Sequence, residues 1–249
     1  MKMEEMLFTV QLQLAAELNC KVEDLNGEKD SFIFTCVKNI KGRRPFPRNE
    51  HHFEMVTMGK SIVITASEKI LEIVKPQLLG KSRDQAFSMP FVYGHAVSYL
   101  PDLSLNRAFK SYEGFDFEFV EQKDMCSLYK HKGFSNAIQY DTAHIRPDAL
   151  AIIAKHNGEI AGISGASRDC EKMWQIGVDV LPQYRSKGLA TCLVNNLTAE
   201  VLSRGIIPYY CTSSSNLSSQ RVAYRAGYYP AWFCSYKGNF DGFNLQPVN

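Results

Sequence analysis

The chain has little of what marks several large protein classes. No apolar run approaches the ~20 residues that a membrane span needs. The opening Met-Lys-Met-Glu-Glu lacks the charged, apolar and cleavage regions of a signal peptide, so the expected location is cytoplasmic. The seven cysteines include no C-x-x-C pair and no histidine at zinc-ligand spacing, which argues against a disulfide framework and a metal and suits a reducing compartment. With 28 basic and 26 acidic side chains the net charge is +2, so no nucleic-acid or membrane partner is expected from charge. The G-x-x-x-x-G-K-[ST] cradle of nucleoside-triphosphate enzymes is missing, and no repeat with a period of about 20–50 residues stands out.

What is present suits a folded, soluble protein. Hydrophobic residues make up 45% and charged residues 22% of the chain, values that exclude wholesale disorder. At 249 residues the chain exceeds the ~100–150 of one typical domain, so two are expected, with a boundary near residue 114: 1–113 and 114–249. The break is drawn from Pro101, Asp102, Asn106 and Gly114, which interrupt periodicity.

The first half reads as a small α+β domain. Leu7, Val10, Leu14 and Leu18 recur at helical spacing; Ser31–Val37 and Lys60–Thr65 are rich in β-branched and aromatic residues and predict strands. Ser67–Lys75 predicts a helix closed by Pro76, and Phe91–Tyr93 and Phe115–Val120 read as extended. Lys41–Arg48 is locally basic, but its prolines make it a solvated loop.

From Ala149 the pattern sharpens. Ala149–Ala154 and Ile160–Ala166 flank an Asn157-Gly158 turn and predict a hairpin. Met173–Val180 is the next strand; Leu189, Leu193, Leu197 and Val201 line one face of a helix that Gly205 ends; Ile206–Thr212 is a strand, Leu217–Ala226 a helix and Tyr229–Tyr236 a last strand. Between strand and helix lies Arg185-Ser-Lys-Gly-Leu-Ala190. A helix N-terminus carries unpaired N–H groups and about half a positive charge, Gly188 permits close approach of backbone to a ligand, and Arg185 and Lys187 add charge. These are the features of an anion site.

Val178-Asp-Val-Leu-Pro-Gln-Tyr-Arg-Ser-Lys-Gly-Leu-Ala190 resembles the acetyl-CoA-binding motif of the GNAT N-acetyltransferase superfamily, with Arg185, Gly188 and Ala190 at its fixed positions. A second stretch, Asn216 to Tyr228, is similar to the family's Asn-x-x-Ala/Ser segment that ends in Gly-Phe/Tyr. Together they cover roughly the last 120 residues, and the first half carries neither. The resemblance is to bacterial members with an extra N-terminal domain. It implies a C-terminal GNAT-like mixed β-sheet flanked by helices, preceded by a smaller α+β N-terminal domain that could shape the acceptor pocket.

The resemblance further implies that Val178 and Val180 pair with the pantetheine arm. The pyrophosphate falls to Arg185, Ser186, Lys187, Gly188, Leu189, Ala190 and Thr191, and Asn216 and Ser219 meet the cofactor from the other side, although Asn216 fits a plain helix N-cap equally well. The family's usual acid, a Tyr after the apolar position filled by Val222, is replaced here by Ala223; Tyr224, one residue on, is rotated by about 100° around the helix. Tyr209, Tyr210 and Cys211 are alternatives or core. The usual carboxylate base falls on Trp174, which leaves Asp179 first among Asp179, Glu171 and Asp169. Alternation turns Asp179 away from Val178 and Val180, and a carboxylate bonded to backbone is its other reading. His144 and His156 read as bystanders, and Trp174 and Trp232 as core or pocket wall.

The reading is an acetyl-CoA-dependent N-acetyltransferase without metal. It would move an acetyl group to a primary amine of a small-molecule acceptor by direct attack on the thioester. Asp179 and Tyr224 are its catalytic candidates, and a homodimer is compatible with it. The rival is a non-catalytic acyl-CoA-binding regulatory or interaction protein.

Overall fold

A computed structural model describes residues 1–44, 52–92, 94–105, 107–235 and 238–239. The chain is a mixed α+β protein in which helices flank mixed β-sheet. It divides into two compact units: Leu7–Ser98 with Ser213–Ser215 and Pro230–Asn249, and Tyr99–Thr212 with Met1–Met6 and Asn216–Tyr229.

The chain opens with α1 (Met3–Leu18), which buries Met6, Val10, Leu14 and Leu18 along one stripe. After α2 (Val22–Leu25) come β1 (Phe32–Cys36), β2 (His52–Thr57) and β3 (Ile62–Ala66). β2 and β3 pair antiparallel, and β1 lies parallel to β3. β2 escapes a periodicity reading because His52 and Glu54 interrupt its apolar residues, yet both are buried. Lys41–Arg44 form a turn in which Arg44 reaches Glu17 on α1; residues 45–48 of the basic stretch lie outside the described residues.

The predicted stop at Pro76 does not hold: α3 (Glu68–Leu78) runs through it. Proline in a helix interior costs ~3 kcal/mol, but Pro76 sits in the last turn. Burial of Ile70, Val74 and Leu78 beside Met55, Ile62 and Ile64 offsets the loss at ~1.5–3 kcal/mol per side chain. α4 (Arg83–Phe87) and β4 (His95–Pro101) follow. Phe91 is not in a strand: it lies in the turn after α4 and packs edge-on against Phe53, with ring centroids 5.7 Å apart. Tyr93 lies outside the described residues.

Beyond β4 come β5 (Asp116–Glu121), a 3-10 turn at Gln122–Leu128, β6 (Asp148–His156), β7 (Glu159–Arg168), β8 (Met173–Val180), α5 (Leu189–Ser203), β9 (Ile207–Ser213), α6 (Leu217–Arg225), β10 (Tyr228–Ser235) and β11 (Gly238–Asn239). In the unit that begins at Leu7, the strands run β1-β3-β2-β10. In the unit that contains Tyr99, they run β4-β9-β8-β7-β6-β5. The β6–β7 turn has Asn157 at φ 52° and Gly158 at φ 83°, both left-handed, as a tight hairpin requires. Leu189, Leu193, Leu197 and Val201 are buried, and Gly205 (φ 73°) closes α5 with an Ile206 N–H to Val201 O bond.

One short segment crosses the face of β7 and β8 and sets the architecture there. A Cβ added at Gly165 would lie 1.9 Å from Ala137 O, and one at Gly177 would lie 1.8 Å from Asn136 O. Two glycines on adjacent strands thus let backbone rest directly on backbone. Phe134, Ala137 and Ile138 anchor the segment in the core beside Ile153 and Ile163.

Asp148 ties the next stretch down. Its buried carboxylate accepts from the Tyr129 hydroxyl at 2.9 Å and from Gln139 N–H at 2.9 Å and 3.2 Å. Burial, outweighing these bonds, holds its carboxyl above the usual aspartate range. The folded state therefore binds this proton more tightly than the unfolded chain, whose aspartates titrate near ~3.9. Stability from this group is greatest at low pH and declines as pH rises from the unfolded pKa through the folded one. Asp148→Asn should flatten that decline, as read by urea unfolding between about pH 4 and pH 7.

Candidate active site

The pairing of β8 with β9 stops short. Their parallel register runs from Met173↔Ile207 to Ile176↔Tyr210, yet β8 continues to Val180 and β9 beyond Cys211. The two strands part at Ile176, and the β9-facing edge of β8 lies open from Gly177 onward. On the other edge β8 stays paired to β7, through Gly162↔Val180 and Ser164↔Val178, and Leu181 N–H bonds Ala161 O at 2.9 Å. Backbone groups alternate along a strand, so Val178 and Val180 point theirs away from β7, toward the side that β9 has left. The Val180 carbonyl is taken by Arg185 Nε at 2.8 Å, which fastens the loop that follows to the strand.

That loop runs into α5 through two left-handed residues. Ser186 (φ 63°) and Gly188 (φ 95°) are both left-handed, on either side of Lys187. The first bond into α5 is Cys192 N–H to Gly188 O at 3.1 Å. Among the described residues, the N–H groups of Ser186 through Thr191 have no internal acceptor. Arg185 to Gly188 are exposed, so the donors face solvent with two cationic side chains beside them. The Tyr112 hydroxyl donates to Lys187 O, and its ring lies against Gly188.

Across the opening stands the N-terminus of α6. The Asn216 side-chain oxygen accepts from Ser219 N–H at 3.1 Å, so this residue does cap the helix, as one of its two readings held. The Ser219 hydroxyl bonds the Tyr210 hydroxyl at 2.8 Å.

Asp179 turns away from Val178 and Val180, as alternation requires. Its carboxylate accepts from Asn136 N–H at 2.7 Å, Asn136 Nδ2 at 2.7 Å and Ala137 N–H at 3.2 Å. It holds the segment that crosses Gly165 and Gly177. Tyr224 is 53% exposed, and its ring meets Tyr99 edge-on at 5.6 Å. Asp169 is buried below the parting point and accepts from Tyr209, from Ser167 at 2.8 Å and from Arg146 at 3.3 Å, whereas Glu171 is exposed in the turn. These acidic residues have separate surroundings.

His144 Nδ1 lies 2.9 Å from Arg146 O, within its own turn. His156, read from sequence as a bystander, packs its ring among Phe115 and Tyr184 at 5.1 Å and 5.5 Å. Trp174 is buried under Arg168, and Trp232 is also buried. A cleft of about 560 Å³ opens elsewhere, beside β5 and β6, and is lined by residues that include His131, Phe134, Ile153 and Lys155. Of the motif residues, Leu181 reaches its wall, and the loop from Arg185 to Thr191 does not line it.

Two features escaped the sequence reading. Arg107 clasps the end of α6, donating to Ala226 O and Gly227 O at 2.6 Å each. Tyr99 is fully buried, its hydroxyl meets no partner at hydrogen-bonding geometry, and burial first, then the neighbouring Tyr224 hydroxyl, push its pKa up. Neither residue lies in a motif, and only the neighbourhood made by the fold gives them meaning.

Two strands thus part beside a glycine loop whose amides have no acceptor among the described residues. Residues 111–228 match the model of the Acetyltransferase (GNAT) family, and this segment is a GNAT acetyltransferase domain. Acyl transfer with acetyl-CoA is the chemistry of that family. No curated protein matches the chain in sequence.

Among solved structures the chain is similar to a candidate GNAT-family acetyltransferase from Novosphingobium aromaticivorans (20% identity, 57% of this chain and 63% of that one, TM-score 0.42). It is also similar to a GCN5-related N-acetyltransferase-like protein from Streptococcus suis (15%, 70% and 70%, TM-score 0.46). A third is a GCN5-related N-acetyltransferase from Sphaerobacter thermophilus (15%, 75% and 59%, TM-score 0.46). The chain spans less than two thirds of the length of the first and third. Among the described residues, no helix is long and apolar enough to cross a membrane, and no group of three or more His, Cys, Asp or Glu could hold a metal.

Proposed function

We propose that this protein transfers an acetyl group from acetyl-CoA to a primary amine of a small molecule, by direct attack of the amine on the thioester. The observation that carries this reading is the parting of β8 from β9 at Ile176/Tyr210, next to six consecutive loop amides, Ser186 through Thr191, that lack internal acceptors. Acetyl-CoA supplies the activated carbonyl; the chain supplies position and charge. The loop amides, with Arg185 and Lys187, hold the diphosphate. Val178 and Val180 offer backbone groups to the pantetheine amides, and Asn216 and Ser219 approach from α6.

Asp179 keeps the segment over Gly165 and Gly177 in place, and its charge favours a cationic amine nearby, which gives one proton to solvent before it attacks as the neutral amine and a second to solvent as the amide forms. Tyr224 is the proton donor for the departing sulfur, which its exposed hydroxyl on α6 can approach. A thiolate leaves readily, so that donor is worth the low end of general-acid assistance. A net charge of +2 and the absence of a broad basic patch favour a metabolite over a nucleic acid, and seven cysteines suit a reducing cytoplasm.

The test is release of free thiol from acetyl-CoA across a panel of amino acids, polyamines and aminoglycosides. Release that depends on one amine class is the expected result. Tyr224→Phe should then lower kcat by about 100-fold with the KM for acetyl-CoA unchanged. Binding of acetyl-CoA with no amine-dependent release would instead identify a non-catalytic acyl-CoA-binding protein.

A further inference from the structure

Tyr99 has no place in the family's motifs, and its surroundings are peculiar. Its side chain is 0% exposed, and its hydroxyl is one of the few buried side-chain polar atoms without a hydrogen-bond partner among the described residues. Leaving such a hydroxyl dry and unpaired costs on the order of 1–3 kcal/mol, so native chains rarely keep one without a use. It comes from β4, the strand next to β9 on the side away from β8. Tyr210 and Cys211, where β9 leaves β8, are near enough to influence its ionisation, and Tyr224 closes the approach with an edge-on ring at 5.6 Å.

We propose that Tyr99 recognises the acyl group: its hydroxyl donates a hydrogen bond to the thioester carbonyl of bound acyl-CoA once the Tyr224 ring swings aside. This deepens the acyl-CoA reading above and rests on it. Tyr224 is half exposed, and exposed side chains change rotamer in ps–ns, so uncovering Tyr99 needs no backbone movement. Free CoA has a thiol in place of that carbonyl and offers Tyr99 only a weak acceptor. Tyr99 therefore separates loaded from spent cofactor, whereas the loop at Gly188 holds both equally.

The experiment is calorimetric titration of the full chain and of Tyr99→Phe with CoA and with acetyl-CoA, beside the thermal midpoint of each protein without ligand. Phenylalanine keeps the ring and removes only the oxygen. The expected result is about a five- to tenfold weaker acetyl-CoA Kd with the CoA Kd unchanged, together with a ligand-free Tm raised by about 2–4 °C because an unpaired buried group has gone. Equal acetyl-CoA affinity in both proteins would overturn the proposal, and so would equal loss for both cofactors, which would assign Tyr99 to pocket shape. A lowered Tm would overturn it too, by showing the hydroxyl already bonded within the protein. If the unaltered chain takes up neither cofactor, the acyl-CoA reading itself falls, a result distinct from any change confined to the variant.

Discussion

Gly188→Val should weaken binding of CoA and of acetyl-CoA by about 100-fold while leaving the folded core intact. The residue sits at φ 95°, a conformation that costs an L side chain ~1–2 kcal/mol and a β-branched one more. Nothing in the core opposes a change of course here, because Arg185 to Gly188 are exposed and an added Cβ would meet only Tyr112, at 3.8 Å. The chain will relieve the strain by rotating the peptides around position 188, and those peptides carry the donors. Charge-assisted hydrogen bonds are worth ~1.5–3 kcal/mol each, so misdirecting two of them accounts for the expected loss. Calorimetry with CoA measures it, and an unchanged far-UV spectrum confirms that the fold survives. An affinity within twofold of the original would place the diphosphate elsewhere.

Gly177→Ala should have the opposite profile, with a large cost in stability that precedes any effect on ligand. A methyl group there would lie 1.8 Å from Asn136 O, a backbone atom that cannot rotate out of the way. Overpacking typically costs 1–3 kcal/mol, and contact with backbone puts this substitution near the upper end, at about 3 kcal/mol. The displaced segment carries the Asn136 and Ala137 groups that bond Asp179, so those bonds stretch together with the shift. Urea unfolding should show a lower midpoint with the slope preserved. A midpoint matching that of the unaltered chain would mean that the segment does not rest on β8.

The contrast between these glycines shows what can be read from a sequence. Gly188 lies in a motif whose chemistry is local: a strand end, a turn and a helix start, all within a dozen residues. The hairpin at Asn157-Gly158 and the helix closed at Gly205 are legible for the same reason. Gly177 is different, because its need for no side chain is imposed by residues some forty positions away, and no periodicity reports that. Tyr99 and Arg107 belong with it. Their partners on and just after α6 lie more than a hundred residues downstream, and a lone Tyr in a strand or a lone Arg in a loop carries no local signature. Pro76 misled for a related reason: the breaker rule is local, whereas the burial of Leu78 that overrides it is not. Asp179 could be assigned to a face by alternation, but not to Asn136.

The way β4 enters the sheet order bears on how the protein can be handled. Residues 111–228 contain both cofactor motifs, but the neighbour of β9 on its outer side comes from residues 95–101. A shortened clone that starts at 111 would keep every signature while baring the hydrogen-bonding edge of a strand that carries Ile207, Tyr209 and Tyr210, an invitation to intermolecular pairing and precipitation. The recognisable sequence and the smallest soluble piece are therefore different lengths of chain.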